Sequence, residues 1–453
     1  MIQLSRKSLP DLKQHAGIEL PTTAQLEFPE RVLQFGTGVL LRGLPDYFID
    51  KANRMGLYDG RVVIVKSTES GGVDVFARQD GLYTVCVKGI EEGRVIDELI
   101  INAAVSRVLA AKQEWAAILE LAASRDLELI LSNTTEVGIV YQSGSIIDCV
   151  PDSFPAKLLA FLYHRYLQFG NDLATGLVIV PTELIQDNGS TLKNMLIHLA
   201  EENQLGADFC NWLQEANHFC NSLVDRIVPG KLSSSDKEAV EQRINMKDDL
   251  MIMAEPFRLW AIESDHPKVK QALRFSQSDP GIIISKDISK FRELKLRMLN
   301  GTHTFSCGLA ILKGFKTVKE AMQDPEMSNY IEKLMMEEIA LSLLPSITAD
   351  EAKEFGNKVL DRFRNPFIEH QWQSITLNYI SKMKLRNIPL IKRYRERFNQ
   401  IAPCMALGFA AYILFMERKD VGAVLADTEL WGEDLRQIND FEASVLESIK
   451  KLS

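Results

Sequence analysis

The residues best suited to chemistry lie in one short segment, Lys295-Leu-Arg-Met-Leu-Asn300-Gly-Thr-His303. On a regular α-helix Lys295, Leu299 and His303 lie at i, i+4 and i+8, so one stripe carries the lysine and the histidine, with Asn300 beside it. These groups suit proton transfer to a ketone or an alcohol, because apolar neighbours lower a lysine pKa toward ~7–8. The same spacing fits a surface lysine with a capping Asn and a buried His, and spacing alone favours this second interpretation.

A second candidate site is the glycine turn at residues 36–43, which reads Gly-Thr-Gly-Val-Leu-Leu-Arg-Gly. It follows an apolar segment and precedes a helix-periodic run, which is where a Rossmann domain binds pyrophosphate on backbone N–H groups. The spacing is GxGxxxxG rather than GxGxxG, so the motif alone indicates a tight turn of an α/β protein as much as a nucleotide site. The candidate cofactor contacts in this turn are Gly36, Thr37, Gly38, Val39 and Leu40.

The acidic residue that would bind the adenosine ribose is not clearly identified by the sequence. Glu69 is the candidate, whereas Lys66 would attract a 2′-phosphate, so the local residues leave the choice between NAD and NADP open. The segment 132–136 ends a predicted strand and is expected beside the cofactor, because open α/β sheets bind ligands at the carboxyl ends of their strands. Its candidate contacts are Asn133, Thr134, Thr135 and Glu136.

The elements that must position these residues indicate an α/β protein with two domains. Strands are predicted at 31–35, 61–66, 127–131 and 177–180, with inserted alternating strands at 83–90 and 95–101. Helices are predicted at 292–312, 316–324, 326–343, 348–363, 368–384 and 402–417. We therefore expect a Rossmann-like dinucleotide-binding domain with inserted strands over 1–285 and a mostly α-helical substrate domain over 286–453. Asn188, after the strand at 177–180, is a further candidate amide at the carboxyl edge of the sheet.

Composition narrows the possible functions. The net charge is −9, which excludes a general nucleic-acid binder, because phosphate binding needs a surplus of Lys and Arg. The first residues contain no apolar segment typical of a signal peptide, and the apolar run 402–416 is too short for a bilayer span, so it is predicted to be a buried helix. The 6 cysteines and 7 histidines lack the spacing of a zinc site, which predicts reduced thiols, no metal and a cytoplasmic location.

Further motifs follow the glycine turn along the chain. They are Val224-Asp-Arg-Ile227, Glu255-Pro-Phe257 with Trp260 and Glu263, Lys295 with Asn300 and His303, and Arg362-Phe-Arg-Asn-Pro366 with His370. In this order they resemble the VDRI, EPF…W, KxxxxNxxH and RFxNP…H motifs of the mannitol dehydrogenase family, the polyol-specific long-chain dehydrogenases. That family typically has an aromatic residue and a histidine where this turn has Leu40 and Leu41, and the difference favours the members that act on uronates.

The resemblance implies an NAD-dependent oxidoreductase that reversibly reduces D-tagaturonate to D-altronate in hexuronate (galacturonate) breakdown. It implies Lys295 as the acid/base, Asn188 and Asn300 as amide donors to the reacting oxygen, and His303 as the group that orients the lysine or holds a neighbouring hydroxyl. A sugar acid also needs a cation for its carboxylate, and the candidates are Arg364, Lys382, Lys384 and Arg386. Reduction of D-fructuronate, oxidation of mannitol, and a nucleotide-binding regulator without catalysis are the alternatives, and the oligomeric state is not predicted.

Overall fold

A computed structural model describes residues 1–12, 17–67, 73–134, 138–147, 150–416 and 439–452. The chain divides into two compact units: unit 1 contains Met1–Lys88 and Asp97–Ile288, and unit 2 contains Gly89–Ile96 and Ser289–Ser453. The predicted domain boundary after residue 285 falls just before the main division, and the short segment Gly89–Ile96 groups with unit 2 although unit 1 surrounds it in sequence.

The strands lie almost entirely in unit 1. In chain order they are β1 Ile2–Gln3, β2 Ile18–Glu19, β3 Glu30–Phe35, β4 Arg61–Lys66, β5 Tyr83–Glu91, β6 Arg94–Asn102, β7 Val105–Ala110, β8 Leu129–Ser132, β9 Val178–Pro181, β10 His218–Phe219, β11 Ser222–Asp225, β12 Met246–Lys247, β13 Ile252–Ala254, β14 Leu259–Glu263 and β15 Ile282–Ser285.

Six of these strands form the parallel sheet that organises unit 1, in the order β10-β9-β8-β3-β4-β7. The first of them in the chain, β3, is central, and later strands extend the sheet on both of its sides, as in a Rossmann sheet. Residues 32–35, 62–65 and 129–131 are buried along their whole length, which explains why these strands appear as apolar runs rather than alternating patterns. A sheet of this order binds ligands at the carboxyl ends of the two strands where the order reverses, here β3 and β8.

Smaller sheets complete unit 1, in the orders β13-β5-β6-β2, β11-β14-β15 and β1-β12. The predicted inserted strands are β5 and β6, which form a hairpin. Its turn residues Glu92 and Gly93 have φ of 53° and 73°, the left-handed pair that a two-residue type I′ turn requires.

Helices pack against the main sheet and bury its apolar side chains. Phe161, Leu196 and Trp212 from three helices join Leu33 and Ile130 of the strands in one core cluster. The α-helices of unit 1 are Val39–Gly43, Pro45–Arg54, Asp74–Arg78, Trp115–Glu120, Phe154–Phe169, Asn188–Glu202, Ala207–Ala216, Ser234–Ile244 and Pro267–Ala272. Single 3-10 turns occur at Leu9–Asp11, Thr23–Glu27, Leu121–Ala123, Leu173–Thr175 and Arg274–Ser278.

Unit 2 is mostly helical, as predicted. Its α-helices are Ser289–Glu293, Asn300–Leu312, Val318–Gln323, Pro325–Lys333, Ala340–Ser342, Ala349–Phe363, Trp372–Ile375, Tyr379–Lys382, Ile388–Phe398, Pro403–Met416 and Asn439–Leu452. The π-helical segments Leu294–Leu299, Leu334–Ile339 and Met383–Asn387 join consecutive α-helices into longer ones over 289–312, 325–342 and 379–398. We call the first the Lys295 helix and the last the Arg386 helix.

The apolar run at 402–416 forms a buried helix, which confirms that prediction. None of the helices in the described ranges combines the length and the hydropathy needed to cross a bilayer. The single helix predicted at 368–384 is wrong. A short helix ends at Ile375, and the Arg386 helix begins at Tyr379, because Asn378 adopts the left-handed conformation with φ of 56°.

Candidate active site

The glycine turn lies where the carboxyl ends of β3, β4 and β8 meet. Gly36 has φ of 122°, a conformation that side chains rarely adopt, and a Cβ there would stand 2.8 Å from the carbonyl oxygen of Asn133. Its N–H donates to the carbonyl of Val65 at 3.1 Å. Gly36 therefore lies close to the ends of β3, β4 and β8, at the edge of the sheet where the strand order reverses.

The other two glycines of the turn have different surroundings. A Cβ on Gly38 would meet nothing within 4 Å, so the backbone there is open to a ligand. The helix that begins at Val39 has N–H groups in its first turn without intrahelical acceptors. Thr37 lies just before this helix start, and Leu40 lies in its first turn. Open space beside such donors fits the pyrophosphate of a dinucleotide.

Gly43 explains the long spacing of the glycine motif. A Cβ at Gly43 would stand 2.9 Å from Cγ2 of Val228, so the helix after the turn packs closely on the VDRI segment. Arg226 of that segment donates to the carbonyl of Gly43 at 2.6 Å and to the carbonyl of Glu255 at 2.9 Å. The VDRI and EPF motifs therefore support the helix that follows the glycine turn.

The loop after β8 is held by a carboxylate that the sequence analysis missed. Glu183, after β9, accepts from the backbone N–H and the hydroxyl of Thr134, both at 3.0 Å, and from the hydroxyl of Ser132 at 3.1 Å. Asn133 donates to the carbonyl of Thr182 at 3.0 Å. Burial raises the pKa of Glu183. Its place directly after a buried strand was the one signal that could have identified it.

Three other predicted cofactor contacts, Glu69, Thr135 and Glu136, lie outside the described residues, and their roles stay predictions. Asn188 is buried in unit 1 at the start of the helix Asn188–Glu202. Its Nδ2 donates to the carbonyls of Pro181, Glu183 and Ser222 at 3.0–3.1 Å. These bonds hold the ends of neighbouring segments together, and donation to a substrate oxygen by Asn188 stays a prediction.

Lys295 lies in the π-helical segment of the Lys295 helix, which changes the geometry expected from its spacing. The N–H of Asn300 donates to the carbonyl of Lys295, five residues back. In a regular α-helix residues five apart are separated by about 140° around the axis, whereas this wider turn places Asn300 one turn above Lys295. The wider turn also absorbs one of the eight positions between Lys295 and His303. Their side chains are therefore about 20° apart around the helix axis, as for residues seven positions apart in an α-helix, instead of about 80°.

The regular i, i+4, i+8 stripe assumed for this segment is therefore wrong in detail, because the helix is not regular there. The π turn brings Lys295, Asn300 and His303 closer to a common face than a regular helix would. Such turns often occur at functional sites. Lys295 itself is half-buried.

His303 is buried, and aromatic rings surround its imidazole. Its ring stacks on Phe363 with a centroid distance of 4.1 Å and meets His370 edge-on at 4.9 Å. Burial lowers the pKa of His303 well below its usual range, and His370, Arg362, Arg386 and Lys382 lower it further. The imidazole is therefore neutral near neutral pH and offers one N–H and one acceptor nitrogen.

The Lys295 and Arg386 helices are joined at their π-helical segments. Arg297 donates from Nη1 to the carbonyls of Leu385 at 2.6 Å and Arg386 at 2.8 Å. Pro389 has no N–H to bind the Leu385 carbonyl, which explains why this acceptor is free for Arg297. In return Asn387 donates from Nδ2 to the carbonyl of Gly301 at 3.1 Å. Each of the two helices thus helps to fix the other next to its π-helical segment.

The cations predicted to bind the substrate carboxylate have different surroundings. Arg386 donates to the hydroxyl of Thr304 at 3.2 Å, and Lys382 donates to the carbonyl of Ile375 at 2.9 Å. Arg364 is exposed and lies 3.4 Å from a carboxylate oxygen of Glu332. Arg362, which the sequence analysis quoted in a motif but did not choose, is buried next to Phe363. Helical periodicity could have predicted the burial of Arg362, because this residue shares a helical face with buried residues three and seven positions earlier.

In the described part of the chain, no group of three or more His, Cys, Asp or Glu side chains is arranged to hold a metal ion. An amine, an amide and a neutral imidazole near one helical face, with cations nearby, suit proton transfer to a carbonyl oxygen of an anionic substrate.

Comparisons with known proteins match the chain in two parts, which correspond closely to unit 1 and unit 2. The sequence model of the mannitol dehydrogenase Rossmann domain matches residues 30–274, and that of the mannitol dehydrogenase C-terminal domain matches residues 287–421. The altronate oxidoreductase of Bacillus subtilis (strain 168) is 36% identical over 439 residues, which cover 91% of this chain and 90% of that protein.

Solved structures share the fold. A substrate-free D-sorbitol dehydrogenase matches with a TM-score of 0.81 at 19% identity, over 99% of this chain and 98% of its own. The ternary complex of Pseudomonas fluorescens mannitol 2-dehydrogenase with NAD and D-mannitol matches with a TM-score of 0.67 at 20% identity, over 100% and 97%. With both family domains matched in order and a relative similar over nine-tenths of its length, the chain belongs to the mannitol dehydrogenase family.

Proposed function

We propose that the chain is an NAD-dependent tagaturonate reductase, or altronate oxidoreductase, which reversibly reduces D-tagaturonate to D-altronate in hexuronate breakdown. The observation that carries the proposal is the 36% identity to the altronate oxidoreductase of Bacillus subtilis over nearly the whole of both chains. The proposed location is the cytoplasm, where soluble sugar acids and NADH are available.

Unit 1 is the proposed cofactor-binding unit. Gly36, Gly38 and the first turn after Val39 would hold the pyrophosphate, and Asn133 and Thr134 lie at the neighbouring strand end. NADH, when bound, supplies the hydride. The choice of NAD rests on the family and on the NAD complex of its mannitol 2-dehydrogenase.

Unit 2 supplies the proposed acid/base chemistry. During reduction the ammonium group of Lys295 donates a proton to the keto oxygen, and during oxidation the neutral amine takes that proton from the hydroxyl. Asn300, one π turn along the helix, donates a hydrogen bond to the same oxygen as negative charge develops there. Loss of a donor of this kind typically costs ~3–4 kcal/mol of transition-state stabilisation. The neutral imidazole of His303 orients the lysine or a neighbouring hydroxyl.

A substrate panel tests this function. The purified chain is given D-tagaturonate, D-fructuronate, D-fructose and fructose 6-phosphate, and the loss of NADH absorbance is followed with each, then repeated with NADPH. The expected result is the highest kcat/KM with D-tagaturonate and NADH. A higher value with D-fructuronate or D-fructose would assign the chain to another activity of the family, and NADH binding without turnover of any ketose would indicate a regulator.

A further inference from the structure

We propose that Arg362, Lys382 and Arg386 of unit 2 form a carboxylate subsite that makes the enzyme select uronates over neutral ketoses. The proposal rests on the proposed function, because it assigns the acid end of the same substrate whose keto group meets Lys295. It also replaces Arg364 of the predicted set with Arg362.

The position of Arg386 is fixed by one hydroxyl group. Its Nη1 donates to Oγ1 of Thr304 at 3.2 Å, and the same hydroxyl donates to the carbonyl of Asn300 at 2.7 Å. Thr304 directly follows His303 in the chain. The guanidinium group is thus one side chain away from the helical turn that presents both Asn300 and His303.

Arg362 and Lys382 approach the same turn from two other segments. Arg362 precedes Phe363, whose ring stacks on the imidazole of His303 at 4.1 Å. Lys382 lies one turn before Arg386 on the Arg386 helix, and its Nζ is held by the carbonyl of Ile375 at 2.9 Å. All three cations act on the imidazole of His303, whose pKa they lower.

Lys382 and Arg386 differ in their partners from several other cations of unit 2. Among the described residues, Lys290, Lys313 and Arg393 each meet a carboxylate oxygen at 2.7 Å. Neither Lys382 nor Arg386 forms an ion pair with a carboxylate in the described ranges, and the group that acts to raise the pKa of both is the thiol of Cys307.

Cys307 does not neutralise these cations. Burial raises the pKa of this thiol to about 11, so it is uncharged near neutral pH. Partly buried cations held close together repel one another, and the carboxylate of a bound substrate would offset that repulsion by its negative charge. Arginine suits this role, because its planar fork binds both oxygens of a carboxylate at once.

A comparison of two substrates tests the subsite. D-Tagaturonate and D-tagatose carry the same keto group, but D-tagatose has a hydroxymethyl group in place of the carboxylate. We expect Arg386→Met to lower kcat/KM for D-tagaturonate about 100-fold and to leave kcat/KM for D-tagatose within about 3-fold of its wild-type value. Lys382→Met, at a half-exposed position that tolerates change more readily, should lower the uronate value about 10-fold. Arg386→Lys keeps the charge and should recover part of the loss.

Lys358→Met is the matched control, because Lys358 lies one turn before Arg362 on the same helix and pairs with Glu354 in solvent. It should leave both substrates unaffected. Titration calorimetry of D-altronate into the enzyme with NADH gives a readout that does not depend on turnover, and weaker binding by Arg386→Met and Lys382→Met supports the subsite.

Several results would overturn the subsite. Equal losses for D-tagaturonate and D-tagatose would give Arg386 a purely structural role. A wild-type enzyme that does not distinguish the two ketoses would remove the need for the subsite. A loss in Arg364→Met that Arg362→Met does not show would restore Arg364 and exclude Arg362. If the wild type binds D-altronate through these cations but turns over no uronate, the subsite stands and the proposed function fails.

Discussion

Gly36 and Gly38 stand two residues apart in the glycine turn, yet alanine should affect stability at the first position and cofactor binding at the second. At Gly36 the new side chain would have to accept φ of 122° and a carbonyl oxygen at 2.8 Å. Strain of this backbone type costs about 1–3 kcal/mol, and displacing a packed neighbour costs about 1–3 kcal/mol more. Gly36→Ala should therefore lower the free energy of unfolding by about 2–6 kcal/mol.

Gly38→Ala is the matched comparison. Gly38 has φ of −58°, and a Cβ there would meet nothing within 4 Å, so its stability should stay within about 0.5 kcal/mol of the wild type. The methyl group would, however, occupy the space through which the cofactor phosphates approach the backbone. The Kd for NADH should therefore rise about 10-fold or more.

Urea unfolding followed by circular dichroism measures the first effect, and NADH fluorescence on binding measures the second. A Gly36→Ala variant as stable as the wild type would refute the steric argument. A Gly38→Ala variant with wild-type affinity for NADH would refute the assignment of the cofactor to this turn, whatever the stability of the variants.

Three further predictions address unit 2 and the core of unit 1. Lys295→Ala should lower kcat by about 100-fold to 10,000-fold while the Kd for NADH is unchanged, and retained turnover would remove Lys295 from the mechanism. Arg297→Met should lower kcat with D-tagaturonate about 10-fold by releasing the Arg386 helix. Arg393→Met, which removes only a more exposed ion pair with Glu293 at 2.7 Å, should change kcat less than 3-fold. Burial raises the pKa of Asp46 from 3.8 to about 7, so the folded chain keeps a proton that the unfolded chain loses above pH 4. The contribution of Asp46 to the free energy of unfolding is therefore greatest below about pH 4 and falls by about 4 kcal/mol as the pH rises to about 7. Asp46→Asn should remove this pH dependence, which urea unfolding at several pH values measures.

The fold was predictable because its main signals are local. Buried parallel strands such as 62–65 are continuous apolar runs, and the glycine turn follows the first of these strands. The inserted hairpin was recognisable from its alternating residues. The break at Asn378 was not, because a left-handed asparagine costs little and leaves no distinct pattern in one sequence.

The candidate site was predictable in its residue types and less so in its geometry. A period of 3.6 residues cannot reveal a π turn, which adds a residue to the helix without a distinct composition, so the stripe predicted for Lys295 and His303 assumed a regular helix. The proposed choice between the two arginines depends on packing for a related reason. Arg362 and Arg364 differ by two residues in sequence, and only the packing of Phe363 on His303 distinguishes the buried one from the exposed one.

The π turn of the Lys295 helix means that the number of residues from Lys295 to Asn300 does not by itself decide which helical face the two side chains share. Deleting one residue between 296 and 299 would let the helix return to regular α geometry there. The lysine would then precede the asparagine by four positions and the histidine by seven, so it would keep about the same position around the helix axis relative to both. A relative whose segment is one residue shorter can therefore present the same three groups on one face of the helix.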